Sequence, residues 1–379
     1  MRFLPPSFLS FAICVSAWLF PSPDVPAAAP SQPHDFTVWN RLIHEELDGA
    51  VAGGYAYEIL QNGKIVAWGQ NGFARAPWER LEPAMPLTIF KQAPLASISK
   101  TITAVAMMKL WDEKGGRLLL DAPFWPYVKR FAPNPDPAVK KITIRELLMH
   151  RSGIARNPDV TTHAELGELL ERPLTHRPGQ RFDYQNNNYY IARVVLEQIA
   201  HDSYGHYVQK HVLKPMGILH METRSESEAP MCGYTDADEK EPGYPFAWDC
   251  TRWAGGAGWY GSVHEMAMFI HGLQARTILS EQATRILFHD ALGFDWETPC
   301  YGKGGDWVFQ DQTGSGEVHS AVCCFPDGIE AAMVINSTYD QGPLSLLEDT
   351  WEHSRVRIAR KPANARKKTE EKLAASDER

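Results

Sequence analysis

Strand-like patterns near both ends of the chain constrain its fold more than anything between them. Residues 55–60 (YAYEIL) and 65–68 (IVAW) are short apolar, β-prone runs on either side of Gln61-Asn62-Gly63-Lys64. Asn-Gly accepts the positive φ that a two-residue hairpin turn needs, so this pattern predicts a hairpin. Residues 318–325 and 329–335 repeat the arrangement around Pro326-Asp327-Gly328. Between the two pairs the periodicity is helical. Segments 98–114, 186–200, 204–214, 262–273 and 280–288 read as helices, with 36–48 before the first hairpin and about 344–360 after the last strand. N- and C-terminal strands can bury their apolar faces by pairing into one antiparallel sheet flanked by helices. The middle then forms a mainly helical lobe. The expected architecture is α/β, of the α+β kind, with any site in the crevice between sheet and lobe.

Composition narrows the class only where it excludes something. The chain has 379 residues, 44% hydrophobic and 22% charged, with a net charge of -8. That balance suits a globular body and lacks the basic face a nucleic acid would require. Arg2 is the only charge before Asp24, and an apolar run over 8–20 leads to Ala27-Ala28-Ala29. This is the pattern of an export signal, with cleavage expected after residue 29. The apolar run, about a dozen residues, falls short of the ~20 that span a bilayer, so no integral span is expected once the signal is removed. Residues 30–359 would form the body. Residues 360–379 hold seven basic and four acidic side chains and read as a charged, disordered tail. In an exported body, Cys232 and Cys250 could staple the polar loop between them, and Cys300 could reach Cys323 or Cys324.

The chemistry is concentrated in short motifs. Ser97-Ile98-Ser99-Lys100 opens the 98–114 helix and is the one S-x-x-K in the chain. Residues three apart share a helix face, which puts the Lys100 amine beside the Ser97 hydroxyl. A serine hydroxyl needs such a base to act as a nucleophile. The helix N-terminus also favours a developing oxyanion. Ser99 has Ile102 at the same offset. Tyr184-Gln185-Asn186, the one Y-x-N, follows Pro178-Gly179 and opens another helix. A tyrosine between ammonium groups has its pKa lowered and can shuttle a proton. Asn186 could hold Lys100 or a substrate amide.

Together these stretches resemble the serine β-lactamase and penicillin-binding-protein superfamily, in its class C-type branch of β-lactamases, D-Ala-D-Ala carboxypeptidases, D-aminopeptidases and esterases. The resemblance extends over residues 36–340. It includes the stretch from Leu95 to Lys100, the run ITIRELLMHRSGI from Ile142 to Ile154, Tyr184 to Asn186, Pro215 to Ile218, and Ala254-Gly255-Gly256. It implies a β-lactamase/transpeptidase-like fold, with Ser97, Lys100 and Tyr184 as catalytic residues. It further implies a third motif on a strand facing the serine, whose cation meets a substrate carboxylate. Lys303-Gly304-Gly305 keeps that cation, while Gln312-Thr313-Gly314 keeps the usual distance to the last strand; Lys303 is the favoured candidate. With it come Gly305 and the Asp306 backbone as substrate-binding groups.

Rival chemistries lack their motifs. There is no G-x-S-x-G elbow, no H-E-x-x-H and no phosphate loop, and the 14 histidines are scattered. His150 and His319 read as structural, Trp253 and Trp259 as core or cleft, and the acidic run Asp236 to Glu241 as a solvated loop. The Asn336-Ser337-Thr338 sequon ends a core strand and is discounted. The expectation is therefore an exported, monomeric serine hydrolase that needs no cofactor or metal. It would act by acyl transfer on a β-lactam, a D-amino-acid peptide or an ester. The alternative is a catalytically silent binding protein of the same fold.

Overall fold

The computed structural model describes residues 33–79, 83–116, 119–156, 158–225, 230–235, 242–296, 299–311 and 314–356. The expected signal segment 1–29, the tail 360–379, the alternative motif residues Gln312 and Thr313, and the acidic run 236–241 lie outside them.

The two terminal strand regions do build one sheet. Its strands are β1 (Gly54–Gln61), β2 (Lys64–Arg75), β3 (Met85–Pro86), β4 (Asp295–Trp296), β5 (Tyr301–Asp311), β6 (Gly314–Phe325) and β7 (Ile329–Ile335), in the order β3-β2-β1-β7-β6-β5-β4. All neighbours are antiparallel. The long-range joint is β1 on β7, in register from Tyr55 opposite Ile335 to Gln61 opposite Ile329. At the hairpin tip Asn62 and Gly63 both take positive φ, as the Asn-Gly turn requires.

Both faces of the sheet are covered, so its central strands read as continuous apolar runs. Tyr55, Tyr57 and Ile59 point to one face. There they pack with Trp39, Ile43 and Leu47 of α1 (Phe36–Leu47) and with Leu346, Leu347 and Trp351 of a C-terminal helix, Pro343–Ser354. Ala56 and Leu60 point to the other face, into a larger core. That core includes α2 (Ile98–Glu113), α3 (Asn186–Ala200) and α4 (Val263–Gln274). Two buried strand carboxylates tie α4 down: Glu58 to His264 at 3.0 Å and Glu330 to His271 at 2.9 Å. Positions 264 and 271 are two turns apart on one helix face, which lets adjacent strands reach both.

Three expectations are corrected. The C-terminal helix stops at Ser354, not near 360: Arg355 is extended, and the Val356 amide donates to the Pro33 carbonyl at 2.8 Å, so this end pairs with the start of the described chain. The 204–214 helix is not uniform. It is α-helical only over Tyr204–Val208, widens into a π turn over Gln209–Leu213, and tightens before Gly217 ends it at φ +79°. The five cysteines of the body are all free thiols. Cys232 is buried beside Ala76 and Tyr234, whereas Cys250 faces the Tyr260 hydroxyl at 3.6 Å, so the loop has no staple. Cys300 does reach Cys323, with the sulfurs in contact at 3.1 Å but unbonded. Asn336 is buried and gives its side chain to the Gly54 amide and the Phe73 and Cys232 carbonyls, so the sequon is a structural element.

Candidate active site

Ser97 immediately precedes α2, where the chain turns abruptly. Ala96 sits at φ +45°, a left-handed conformation that costs a non-glycine residue of order 1–3 kcal/mol and persists only where its surroundings impose it. They do: the Leu95 amide donates to the Trp259 carbonyl at 2.8 Å, and the Leu95 carbonyl accepts from the Ser320 hydroxyl at 3.0 Å. Ser97 is thereby held partly exposed at the end of a helix that is otherwise buried on nearly every side. Ser99 points the other way. It is fully buried and accepts from the Trp259 amide at 3.1 Å.

Lys100 lies beneath Ser97. Its ammonium is wholly buried and spends its three donors on Ser97 Oγ at 3.0 Å, Asn186 Oδ1 at 2.8 Å and the Gly256 carbonyl at 2.9 Å. Burial disfavours the charged form, and the Lys303 charge adds to this, so the amine is held below the ordinary lysine value although Tyr184 and Asp295 pull upward. Tyr184 closes the triangle, its hydroxyl donating to Ser97 Oγ at 2.8 Å. Lys100 Nζ and Lys303 Nζ lie 4.8 and 4.7 Å from its ring centroid. Burial alone would push this phenol up; the two cations outweigh it and bring it below the ordinary tyrosine value.

In the run Asn186-Asn187-Asn188 at the start of α3, the contact of Asn186 with Lys100 was expected from the sequence, and the roles of Asn187 and Asn188 were not. Asn186 holds Lys100 and donates to Asp159 at 2.8 Å. Asn187 gathers the carbonyls of Ala155, Arg156 and Pro158 and the Val160 amide, and Asn188 accepts from Ser152. The last two fix the loop that follows the ITIRELLMHRSGI run. Three adjacent asparagines at a helix start were the available signal; Asn187 and Asn188 are buried, and such groups rarely lie buried without partners. His150 is structural, as expected. It packs on the Tyr184 ring at 4.4 Å and accepts from the Gln185 amide at 3.2 Å. Burial and the two lysines hold it well below the ordinary histidine value. Trp259 is core, while Trp253 is partly exposed and lines a small open cleft with Asp159, Asn186 and Gly256.

The wall opposite Ser97 is β5. Gly305 faces the nucleophile so closely that a Cβ there would lie 3.0 Å from the Ser97 amide and 2.7 Å from Ser320 Oγ. Lys303, two residues along the same face, is buried, and its ammonium meets Asp295 Oδ1 at 2.5 Å. The other oxygen of Asp295 accepts from the Gly304 amide at 3.2 Å. Asp306 has an exposed carboxylate that His319 Nδ1 meets at 2.7 Å. Amide directions alternate along a strand, so the Asp306 N–H points to the same edge as that of Gly304. The structure thus brings Ser97, Lys100, Tyr184, Asn186, Lys303 and Gly305 together. Asp295 is the participant the sequence did not reveal.

A buried lysine and a tyrosine converging on a serine at a helix start, walled by an antiparallel strand, define the β-lactamase-type fold of hydrolases and penicillin-binding relatives. The beta-lactamase family model matches residues 39–354, and the chain belongs to that family. Among curated relatives, protein flp of Staphylococcus aureus (strain NCTC 8325 / PS 47) is 28% identical over 211 residues. That match covers 51% of this chain and 40% of flp, so the chain spans under half the length of that relative. Among solved structures, EstCE1, "a hydrolase with promiscuous acyltransferase activity", superposes with a TM-score of 0.64 at 18% identity, covering 83% of this chain and 98% of its own. The octameric penicillin-binding protein homologue from Pyrococcus abyssi gives 0.60 at 21% identity, covering 80% and 74%. At these identities the structures establish the fold. Among the described residues no helix is long and apolar enough to cross a membrane.

Proposed function

We propose that this protein is an exported serine hydrolase that works by acyl transfer through Ser97. The observation that carries the reading is the double contact on one hydroxyl: Ser97 Oγ lies 3.0 Å from Lys100 Nζ and 2.8 Å from the Tyr184 hydroxyl. Both neighbours are held below their ordinary pKa values, so each can take the serine proton nearer neutral pH. Ser97 Oγ attacks the substrate carbonyl while its proton passes to the Lys100–Tyr184 pair. The Ser97 and Asp306 amides receive the oxyanion. Collapse breaks the bond to the leaving group, which takes the proton, and an acyl-enzyme remains. Water then attacks, gives its proton to the same pair, and Ser97 is regenerated with release of the acid.

Esters, D-amino-acid peptides and β-lactams all carry a carbonyl that this sequence of steps can open. Intact-mass analysis after a fluorophosphonate and after a penicillin tests it: one adduct on wild type and none on Ser97→Ala is expected. Equal absence of label from both proteins, with every probe, would mark a silent binding protein instead. Export rests on the apolar run over 8–20 followed by Ala27-Ala28-Ala29. The N-terminus of protein recovered from a secreting host tests that part.

A further inference from the structure

The third-motif cation is already occupied. Lys303 is almost completely buried, with 3% of its side chain exposed, and its ammonium is taken by Asp295 at 2.5 Å. Asp295 is itself fixed, because its second oxygen accepts from the Gly304 amide and strand pairing sets Asp295 opposite Gly302. The partners differ in exposure. Asp295 shows 34% of its side chain to solvent, against 3% for Lys303. What an incoming molecule meets is therefore the acidic end of the pair, with the ammonium behind it on the Tyr184 ring. A substrate carboxylate would lose its hydration, face a like charge, and find its intended partner neutralised.

The same strand face supplies apolar surface. Beyond Lys303 and Gly305, side chains alternate so that Trp307 and Phe309 fall on this face too. Trp307 meets Trp248 edge to face at 5.9 Å between ring centroids, and Phe309 packs on Trp248 at 4.5 Å and on Tyr244 at 4.7 Å. An aromatic strip thus continues from the wall opposite Ser97.

We propose that Asp295 is a specificity-determining residue that cancels Lys303, so that the site selects uncharged, apolar acyl donors and rejects those bearing a carboxylate. This rests on the acyl-transfer reading of the same site and names its substrate class. Neutral esters or amides fit. Penicillins and C-terminal D-alanyl peptides, which carry a free carboxylate, do not, so slow labelling by a penicillin is expected beside fast labelling by a neutral fluorophosphonate.

The test uses two p-nitrophenyl esters of one shape, the 4-methylpentanoate and the hemisuccinate, which differ in a terminal isopropyl against a carboxylate. Rates are taken above the Ser97→Ala background. Wild type is expected to favour the neutral ester. Asp295→Asn should raise kcat/KM for the hemisuccinate relative to the neutral ester at least tenfold, and adding Lys303→Met to it should remove that gain. A ratio unmoved by Asp295→Asn overturns the proposal. A second arm needs no chemistry: phenylacetate and phenylacetamide are titrated calorimetrically into Ser97→Ala and Ser97→Ala/Asp295→Asn proteins. Relative tightening of phenylacetate by tenfold or more in the double variant is expected. No change in relative affinity, or no binding of either ligand, overturns the proposal. If wild type hydrolyses neither ester and no probe labels Ser97, the acyl-transfer reading fails, and the calorimetric arm still decides the role of Asp295.

Discussion

The Tyr184 hydroxyl donates to Ser97 Oγ at 2.8 Å while two ammonium groups, of Lys100 and Lys303, lie 4.8 and 4.7 Å from its ring centroid. Removing that hydroxyl leaves Lys100 beside the serine but takes away one of the two proton carriers. Tyr184→Phe is expected to slow acylation by about 10²–10⁴, the usual worth of a general acid–base group. Stopped-flow labelling with a fluorophosphonate reads this directly, and a rate within threefold of wild type would remove Tyr184 from the mechanism.

The cation behind the ring sets the pH response. Lys303 lowers both Lys100 and Tyr184. Taking its charge away in Lys303→Met lets both values rise, so each group binds its proton up to higher pH. The rising limb of the pH–rate profile should therefore move to the alkaline side in Lys303→Met. A limb that stays in place or moves to lower pH contradicts this arrangement.

Ser99 competes with Ser97 for the nucleophile's role in the sequence, and the structure separates them. Ser99→Ala removes the acceptor of the buried Trp259 amide, at a cost of about 1–3 kcal/mol in stability. It should nevertheless label at Ser97 like wild type. Urea midpoints and peptide mapping of the adduct check the two halves separately.

Adjacent glycines in β5 give a control pair. Gly305→Ala puts a methyl against the Ser97 amide and Ser320 Oγ, forcing the strand away from the nucleophile. It should cost about 1–3 kcal/mol and lower the labelling rate by about 10² or more. Gly304→Ala meets nothing nearer than Leu344 Cδ2 at 4.0 Å and should cost little. Comparable rates for the two variants would show that β5 does not wall the site.

His150 links stability to acid. The folded state holds its imidazole well below the 6.5 of the unfolded chain, so below that pH the unfolded state binds more protons. Its contribution is complete above about pH 6.5 and is lost as pH falls, at up to about 1.4 kcal/mol per pH unit. Urea midpoints measured at several pH values should fall toward acid in wild type and fall less steeply in His150→Asn. Equal slopes would assign the acid sensitivity elsewhere.

Legibility in the sequence followed distance along the chain. Ser97 with Lys100, and Tyr184 with Asn186, were readable because a helix start and a short spacing determine which side chains meet. The hairpin at Asn62-Gly63 and the helix over 98–113 were readable for the same reason. Asp295 was not. It reaches Lys303 only because β4 pairs with β5, and β4 is two residues long with no periodicity of its own. Cysteine pairing failed likewise: which thiol faces which depends on the packing of Cys232 against Tyr234 and of Cys250 against Tyr260. The helix end at Ser354 was misplaced because a tertiary contact with Pro33 overrides a continuing helical pattern.

The joint between β1 and β7 has a consequence for how the protein comes into being. Ribosomal synthesis delivers Ser97, Lys100 and Tyr184 well before Lys303 and Gly305, and β1 has no partner on its inner edge until residues 329–335 have been made. Closing that long chain segment is slow, and nothing earlier can substitute for it. The nascent polypeptide thus carries its nucleophile without the wall that makes it reactive, and that wall is anchored only once residues 329–335 have been made.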